Sequence, residues 1–175
     1  MRNLKGTGKR VKTRAYETLI RPMLEYGSKV SDPYRLGQIK DLEAIQKRAA
    51  RRVLNKYHRY EPEGIYESAT EMVRSLGWPP LEERRELDRL CGMHKIVNQT
   101  RGWEELSEKI QLNTRVGRGD HVKKLTINQV NTDVGKYSFL NRTVKSWNAL
   151  EEEVALTKGA RQFRTRAEKW LATRV

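Results

Sequence analysis

Apolar residues recur along most of this chain at the three-and-four spacing of helices buried on one face. The clearest run spans 32–53, where Leu36, Ile39, Leu42, Ala49, Ala50 and Val53 share one side at about 100° per residue. Asp32 is suited to cap its start, and Pro33 to take the first helical position, where a missing N–H costs nothing. An earlier stripe of Ala15, Tyr16, Leu19, Ile20, Met23 and Leu24 predicts a helix over 11–26 that stops at Gly27. Pro22 lies inside it, so a kink or break is expected near Ile20 and Arg21. Residues 55–65 read as a loop with His58, Pro62 and Gly64. Ser68 and Glu71 form a capping box ahead of Met72, Val73 and Leu76, and Gly77 closes that helix. Pro79 and Pro80 open the next, with Glu82 and Glu83 in its first turn and an apolar stripe of Leu87, Leu90, Cys91, His94 and Val97.

The second half is less regular. A short helix is expected over 103–110, then a loop over 113–124 carrying Gly117 and Gly119. Val122, Leu125 and Ile127 do not alternate strictly, so at most one short strand or hairpin is expected near 121–130. Tyr137, Leu140, Val144 and Trp147 predict a helix over 137–150. Phe163, Ala167, Trp170 and Leu171 predict another over 162–172, with Arg161, Arg164, Lys169 and Arg174 largely outward. The expected fold class is mainly α: a small multi-helix bundle with basic loops. The expected organisation is a basic N-terminal arm over 1–14 and a single helical domain over 15–175, weakest at 98–119.

Charge changes this picture most. The 175 residues carry a net charge of +14, which points to nucleic acid before an anionic membrane surface. Opposite the apolar side of 32–53 stand Lys40, Lys47, Arg48, Arg51 and Arg52. Lys47/Arg51 and Arg48/Arg52 are like-charge pairs one helical turn apart, a cost that a polyanion would relieve. A simply solvated face is the plainer alternative. Arg115, Arg118, Lys123 and Lys124 make a second basic group, and 1–14 carries six basic residues, Arg2, Lys5, Lys9, Arg10, Lys12 and Arg14, with no acid. The one cysteine, Cys91, can form no internal disulfide. No stretch approaches the roughly 18 apolar residues of a membrane span, and no apolar core follows Met1. The expected setting is nuclear or cytoplasmic, with no membrane partner.

Candidate chemistry is sparse. His58, His94, His121 and Cys91 lack the spacing of a zinc site, and His94 on an apolar stripe reads as a satisfied, partly buried histidine. Gly6-x-Gly8 and Gly117-x-Gly119 lack the rest of any phosphate loop. Glu151, Glu152 and Glu153 diverge by about 100° per residue on a helix and cannot jointly hold a metal. No catalytic residue, metal or cofactor is expected.

Several stretches together resemble one family. They are Tyr16-Glu-Thr-Leu-Ile-Arg-Pro-Met-Leu-Glu-Tyr-Gly-Ser28, Asp32-Pro33-Tyr34 and Leu42-Glu-x-Ile-Gln-x-Arg-Ala-Ala-Arg51. Thr70-Glu71-Met72, Leu76-Gly-Trp-Pro79 and Leu81-Glu-Glu-Arg-Arg85 follow. Tyr137-Ser-Phe139, Arg142-Thr143 and Trp147-Asn-Ala-Leu150 complete the set, which ends near Phe163. In this order they resemble the region C-terminal to the palm in reverse transcriptases of non-LTR retrotransposons of the jockey-like type. Ser31, Asn141 and Glu151 stand where the family usually has Trp, Pro and Pro, as in a diverged copy.

The resemblance implies a thumb and post-thumb region, a helical bundle that grips a template–primer duplex through its backbone. The aromatic-x-Asp-Asp polymerase motif and the family's endonuclease are absent from the sequence, so a detached, non-catalytic piece is expected. The expected function is sequence-independent binding of RNA, DNA or an RNA–DNA hybrid through basic helix faces. Two alternatives stand beside it. One is a protein-interaction or oligomerisation module using exposed apolar helix faces, and the other a decayed transposon fragment with no selected role.

Overall fold

The computed structural model describes residues 4, 6–56, 67–114, 117 and 120–174. Arg2, Lys5, the loop residues His58, Pro62 and Gly64, and Arg115, Arg118 and Gly119 lie outside the described residues. The chain is mainly helical, and the described residues contain no strand. The chain divides into two compact units, Met1–Gly27 with Pro33–Arg84, and Ser28–Asp32 with Arg85–Val175. The helical pattern runs unbroken through 84 and 85, so composition carries no mark of this boundary.

The first unit begins with α1 (Lys9–Ala15), a π-helical turn (Tyr16–Ile20) and α2 (Arg21–Glu25). The expected basic arm is therefore helical from Lys9 onward, and its Lys12 is buried with Nζ 2.5 Å from Asn55 Oδ1. Pro22 has no N–H to donate, and the Arg21 N–H reaches back five residues to the Tyr16 carbonyl. The regular α-helix is interrupted by the π-turn, which ends at Ile20 and Arg21, where a kink or break was expected. Tyr16, Ile20 and Leu24 face the core, whereas Leu19 and Met23, expected on the same side, are exposed.

The long helix α3 (Leu36–Leu54) starts three residues later than Asp32 would have placed it, with Arg35 at its cap and Leu36 exposed. Asp32 does not cap because its carboxylate is engaged by arginines of the second unit's own chain, described below. Ala49, Ala50 and Val53 are buried with Met72 and Val73 of α4 (Ala69–Ser75), whose Ser68–Glu71 capping box forms in both directions. The surprise on α3 is Gln46, fully buried among apolar residues. Its Oε1 accepts from the Tyr16 hydroxyl at 2.7 Å and its Nε2 donates to the Pro79 carbonyl at 2.9 Å. Trp78 stacks on Tyr16 at 4.2 Å, brought there by Gly77 at φ +67°, a value that favours glycine. Burial pushes the Tyr16 phenol above its ordinary range, so it remains a donor.

The second unit takes α5 (Leu81–Val97) from Arg85 onward. It adds α6 (Glu104–Ser107), α7 (Asp133–Lys136), α8 (Phe139–Asn148), α9 (Glu152–Ala155) and α10 (Ala160–Thr173). The Glu151–Glu153 run supplies the cap and first turn of α9, where carboxylates suit the helix dipole. Trp147 and Phe163, both fully buried, lie 5.7 Å apart at the centre of a core with Leu90, Met93, Val144, Ala167 and Leu171. The expected strand or hairpin near 121–130 is reduced to one antiparallel bridge between Leu112 and Leu125. Side chains take the place of a sheet partner. Asn148 Oδ1 accepts the Leu125 N–H and Asn148 Nδ2 donates to the Leu125 carbonyl, each at 2.8 Å. The Trp147 indole donates to the Lys123 carbonyl at 2.8 Å.

Residues Ser28–Asp32 form a strap on this unit. Ser28 and Lys29 both bond Asp88, and the Ser31 carbonyl accepts from Arg85 at 2.6 Å. Burial works to raise the Asp88 carboxyl, but the hydrogen bonds from Lys29 and Ser28 outweigh it and hold the group below its ordinary range. The buried Asp32 carboxylate faces Arg85 Nε at 2.6 Å, Arg142 Nη1 at 3.0 Å and the Arg89 guanidinium. Burial and the neighbouring Arg142 charge pull Arg89 below the ordinary guanidinium range. Removing the shared carboxylate leaves three cations facing one another. Asp32→Ala should therefore destabilise the second unit by about 3–5 kcal/mol, read as lost amide-exchange protection in α5 and α8. An effect below about 1 kcal/mol would contradict the network's role.

His94 and His121 are buried, each with Nε2 at a carbonyl: Thr157 at 2.7 Å and Trp147 at 3.0 Å. Nε2 must carry the hydrogen to donate, and His121 Nδ1 is buried with no partner among the described residues. Burial holds both imidazoles below their ordinary value. Above about pH 6.5 both folded and unfolded chains hold them neutral. As the pH falls below that, the unfolded chain takes up protons first, so stability drops until the folded values are passed. Urea midpoints measured between about pH 7.5 and 5.5 should fall more steeply for the natural chain than for a His94→Gln, His121→Gln variant.

Candidate nucleic-acid interface

The buried residues of α3 are Gln46, Ala49, Ala50 and Val53. Lys40, Lys47, Arg48, Arg51 and Arg52 sweep about 140° of the opposite circumference. The same helical period that buries one set therefore projects the other away from the core. Lys40, Arg48, Arg51 and Arg52 are exposed and Lys47 is half-buried. None of the five forms an ion pair among the described residues. Exposed Asp41 shares their sector, while Glu43 lies nearer the core side and accepts the Glu82 N–H at 3.2 Å. Arg51 and Arg52 also sit in the last turn, where cations complement the helix dipole.

Some cations elsewhere are matched. Arg21 lies between Glu17 and Glu25, Arg84 pairs with Glu25, and Arg166 with Glu153. The second expected group fares differently from α3. Arg115 and Arg118 lie outside the described residues. Lys124 is held by Asp120, and Lys123 Nζ donates to Asn98 Oδ1 at 2.9 Å. The hydrogen bond from Lys124 holds the Asp120 carboxyl below its ordinary range. Lys123 and Lys124 belong to the second unit and the five α3 cations to the first, so each set is a feature of its own unit.

Further exposed cations stand on α1 and α10. Lys9, Arg10 and Arg14 line an open recess of about 810 Å³ with Thr13 and Glu17. Arg161, Arg164 and Lys169 are exposed on α10. The acid-free start of the sequence signalled the first set, though as an arm and not as a helix. Burial pushes the half-buried Cys91 thiol up, and it packs against the core as a small apolar side chain. Among the described residues no three His, Cys, Asp or Glu side chains converge as a metal site, and no helix is long and apolar enough to cross a membrane.

Comparison of the chain with protein-family models, with curated proteins and with solved structures finds no match. What fold and site define together is a small all-α protein with a cationic helix face.

The local partners set an order of amine reactivity. Under limiting acylating reagent, Lys40 should be modified first, Lys124 later and buried Lys12 last, as read by peptide mass spectrometry. Lys12 labelling as fast as Lys40 would contradict its place against Asn55.

Proposed function

We propose that this chain binds nucleic acid through the outer face of α3 without strong sequence preference. It is then a non-catalytic piece derived from the thumb and post-thumb region of a non-LTR retrotransposon reverse transcriptase. The observation that carries the reading is the set Lys40, Lys47, Arg48, Arg51 and Arg52, unpaired among the described residues on the face opposite a buried one. Glu43 accepts the Glu82 N–H and Asp41 is one carboxylate among five cations, so an external polyanion is the natural counter-charge. The ordered family resemblance supports the same reading, as does the net charge of +14. Lysine and arginine side chains displace condensed counterions from phosphates, which supplies affinity but little sequence information. RNA, DNA and an RNA–DNA hybrid all offer that backbone, and a nuclear or cytoplasmic setting provides them.

If roughly six phosphates are neutralised, the logarithm of affinity for duplex DNA should fall with that of salt at a slope of about −5. Fluorescence anisotropy at several salt concentrations measures it. Lys47→Glu, Arg48→Glu, Arg51→Glu and Arg52→Glu together should abolish binding while far-UV helicity is kept. A flat salt profile, or undiminished affinity in that variant, defeats the proposal.

One observation favours a second reading. Leu19, Met23 and Tyr26 are exposed at helical spacing, at 67%, 76% and 88%. Such a stripe is the kind of surface a partner protein or a second copy covers. Light scattering at low and high salt separates self-association through this stripe from a nucleic-acid-binding monomer.

A further inference from the structure

The second unit holds a recess of about 360 Å³ between the loop after Leu125 and the outer sides of α7 and α8. Its volume lies near the lower end of the roughly 300–1,000 Å³ typical of small-ligand pockets. Its chemistry is one-sided. Asn128, Gln129 and Asn131 line it, exposed, and their side chains make no hydrogen bond among the described residues. Lys136 and Lys145 line it as well, exposed and in no ion pair among the described residues, and no carboxylate does. Ile127 and Val130 supply its apolar surface, at 50% and 40% exposure.

The turn that follows this loop, at α7, is held by local hydrogen bonds. Thr132 Oγ1 accepts the Gly135 N–H at 3.2 Å, and the Gly135 carbonyl accepts from Ser138 Oγ and Asn141 Nδ2, both at 2.8 Å. A Cβ on Gly135 would meet Val130 at 3.2 Å, so a glycine there lets the loop close onto α7. Lys136 is held over the Tyr137 ring at 5.5 Å.

We propose that this recess binds a single nucleotide, with Lys136 and Lys145 on its phosphate, Asn128, Gln129 and Asn131 on the base edge, and Ile127 and Val130 against the base face. The proposal deepens the nucleic-acid reading and rests on it for the ligand class. Two ammonium groups in a recess that no carboxylate lines match a phosphate. Carboxamides offer the donor and acceptor side by side that a base edge needs. Sequence-tolerant single-strand sites stack bases on aromatic rings. None lines this recess, so its selectivity comes from the base edge, in contrast to the backbone-reading face of α3.

The test titrates the ¹⁵N-labelled full chain at low salt with each of the four ribonucleoside 5′-monophosphates, with inorganic phosphate and with a hexaglutamate peptide. Saturable shifts are expected at the side-chain amides of Asn128, Gln129 and Asn131. At least one nucleotide should bind about tenfold or more tightly than phosphate. Lys136→Gln with Lys145→Gln should weaken nucleotides and phosphate alike, whereas Asn128→Ala with Asn131→Ala should level the differences among bases. Equal affinity for phosphate and every nucleotide, no saturable shift at these amides, or tighter binding of the peptide than of any nucleotide overturns the proposal. The α3 variant with four glutamates should lose duplex binding and keep these shifts, so each of the two readings can fail without the other.

Discussion

The burial of Asp32 is the constraint on which the second unit turns. A carboxylate taken out of water must be paired and hydrogen-bonded, or it destabilises the fold that holds it. Here Arg85, Arg89 and Arg142 meet the requirement together and bring two distant parts of the chain to the same point. Arg85 and Arg89 lie one helical turn apart on α5, and Arg142 projects from α8. The Ser31 and Asp32 carbonyls take further guanidinium hydrogens, so the backbone of the strap is fixed along with its side chain. One charged group thereby sets how α5, α8 and the strap pack, and the apolar core of Trp147 and Phe163 fills the space they define.

The first unit is held by a different device with the same logic. Gln46 is neutral, so its burial needs only complementary hydrogen bonds, and Tyr16 and Pro79 provide them. The amide links α3 to the π-turn and to the chain just before α5, while Trp78 closes over Tyr16. With the inner face of α3 committed in this way, its outer face is left to Lys40, Lys47, Arg48, Arg51 and Arg52. The fold thus separates a face specified by packing from one specified by charge, on a single helix of 19 residues.

This separation bears on the family resemblance. Many of the residues that carry it are fixed by packing: Tyr16, Gln46, Trp78 and Pro79 in the first unit, and Asp32, Arg85, Arg142, Trp147 and Asn148 in the second. Such residues say how a chain folds. Of the cationic face, Arg48 and Arg51 alone fall on positions specified in that motif set. A nucleic-acid role for the face therefore rests on charge geometry more than on the resemblance.

Periodicity, turn chemistry and charge were legible in the sequence because they are local. The spacing of Ala49, Ala50 and Val53 placed a helix, Ser68 and Glu71 marked its neighbour's start, Gly77 marked an end, and the cations of α3 fell opposite its apolar side. The tertiary structure alone decided what Asp32 does, since its partners stand 53 and 110 residues away. It also decided that Gln46 is buried and that Asn148 stands in for a strand beside Leu125. The physical reason is common to all three. A helix phase is fixed by neighbours within two turns, whereas the fate of a polar or charged side chain depends on which distant group the folded chain brings within about 3 Å of it.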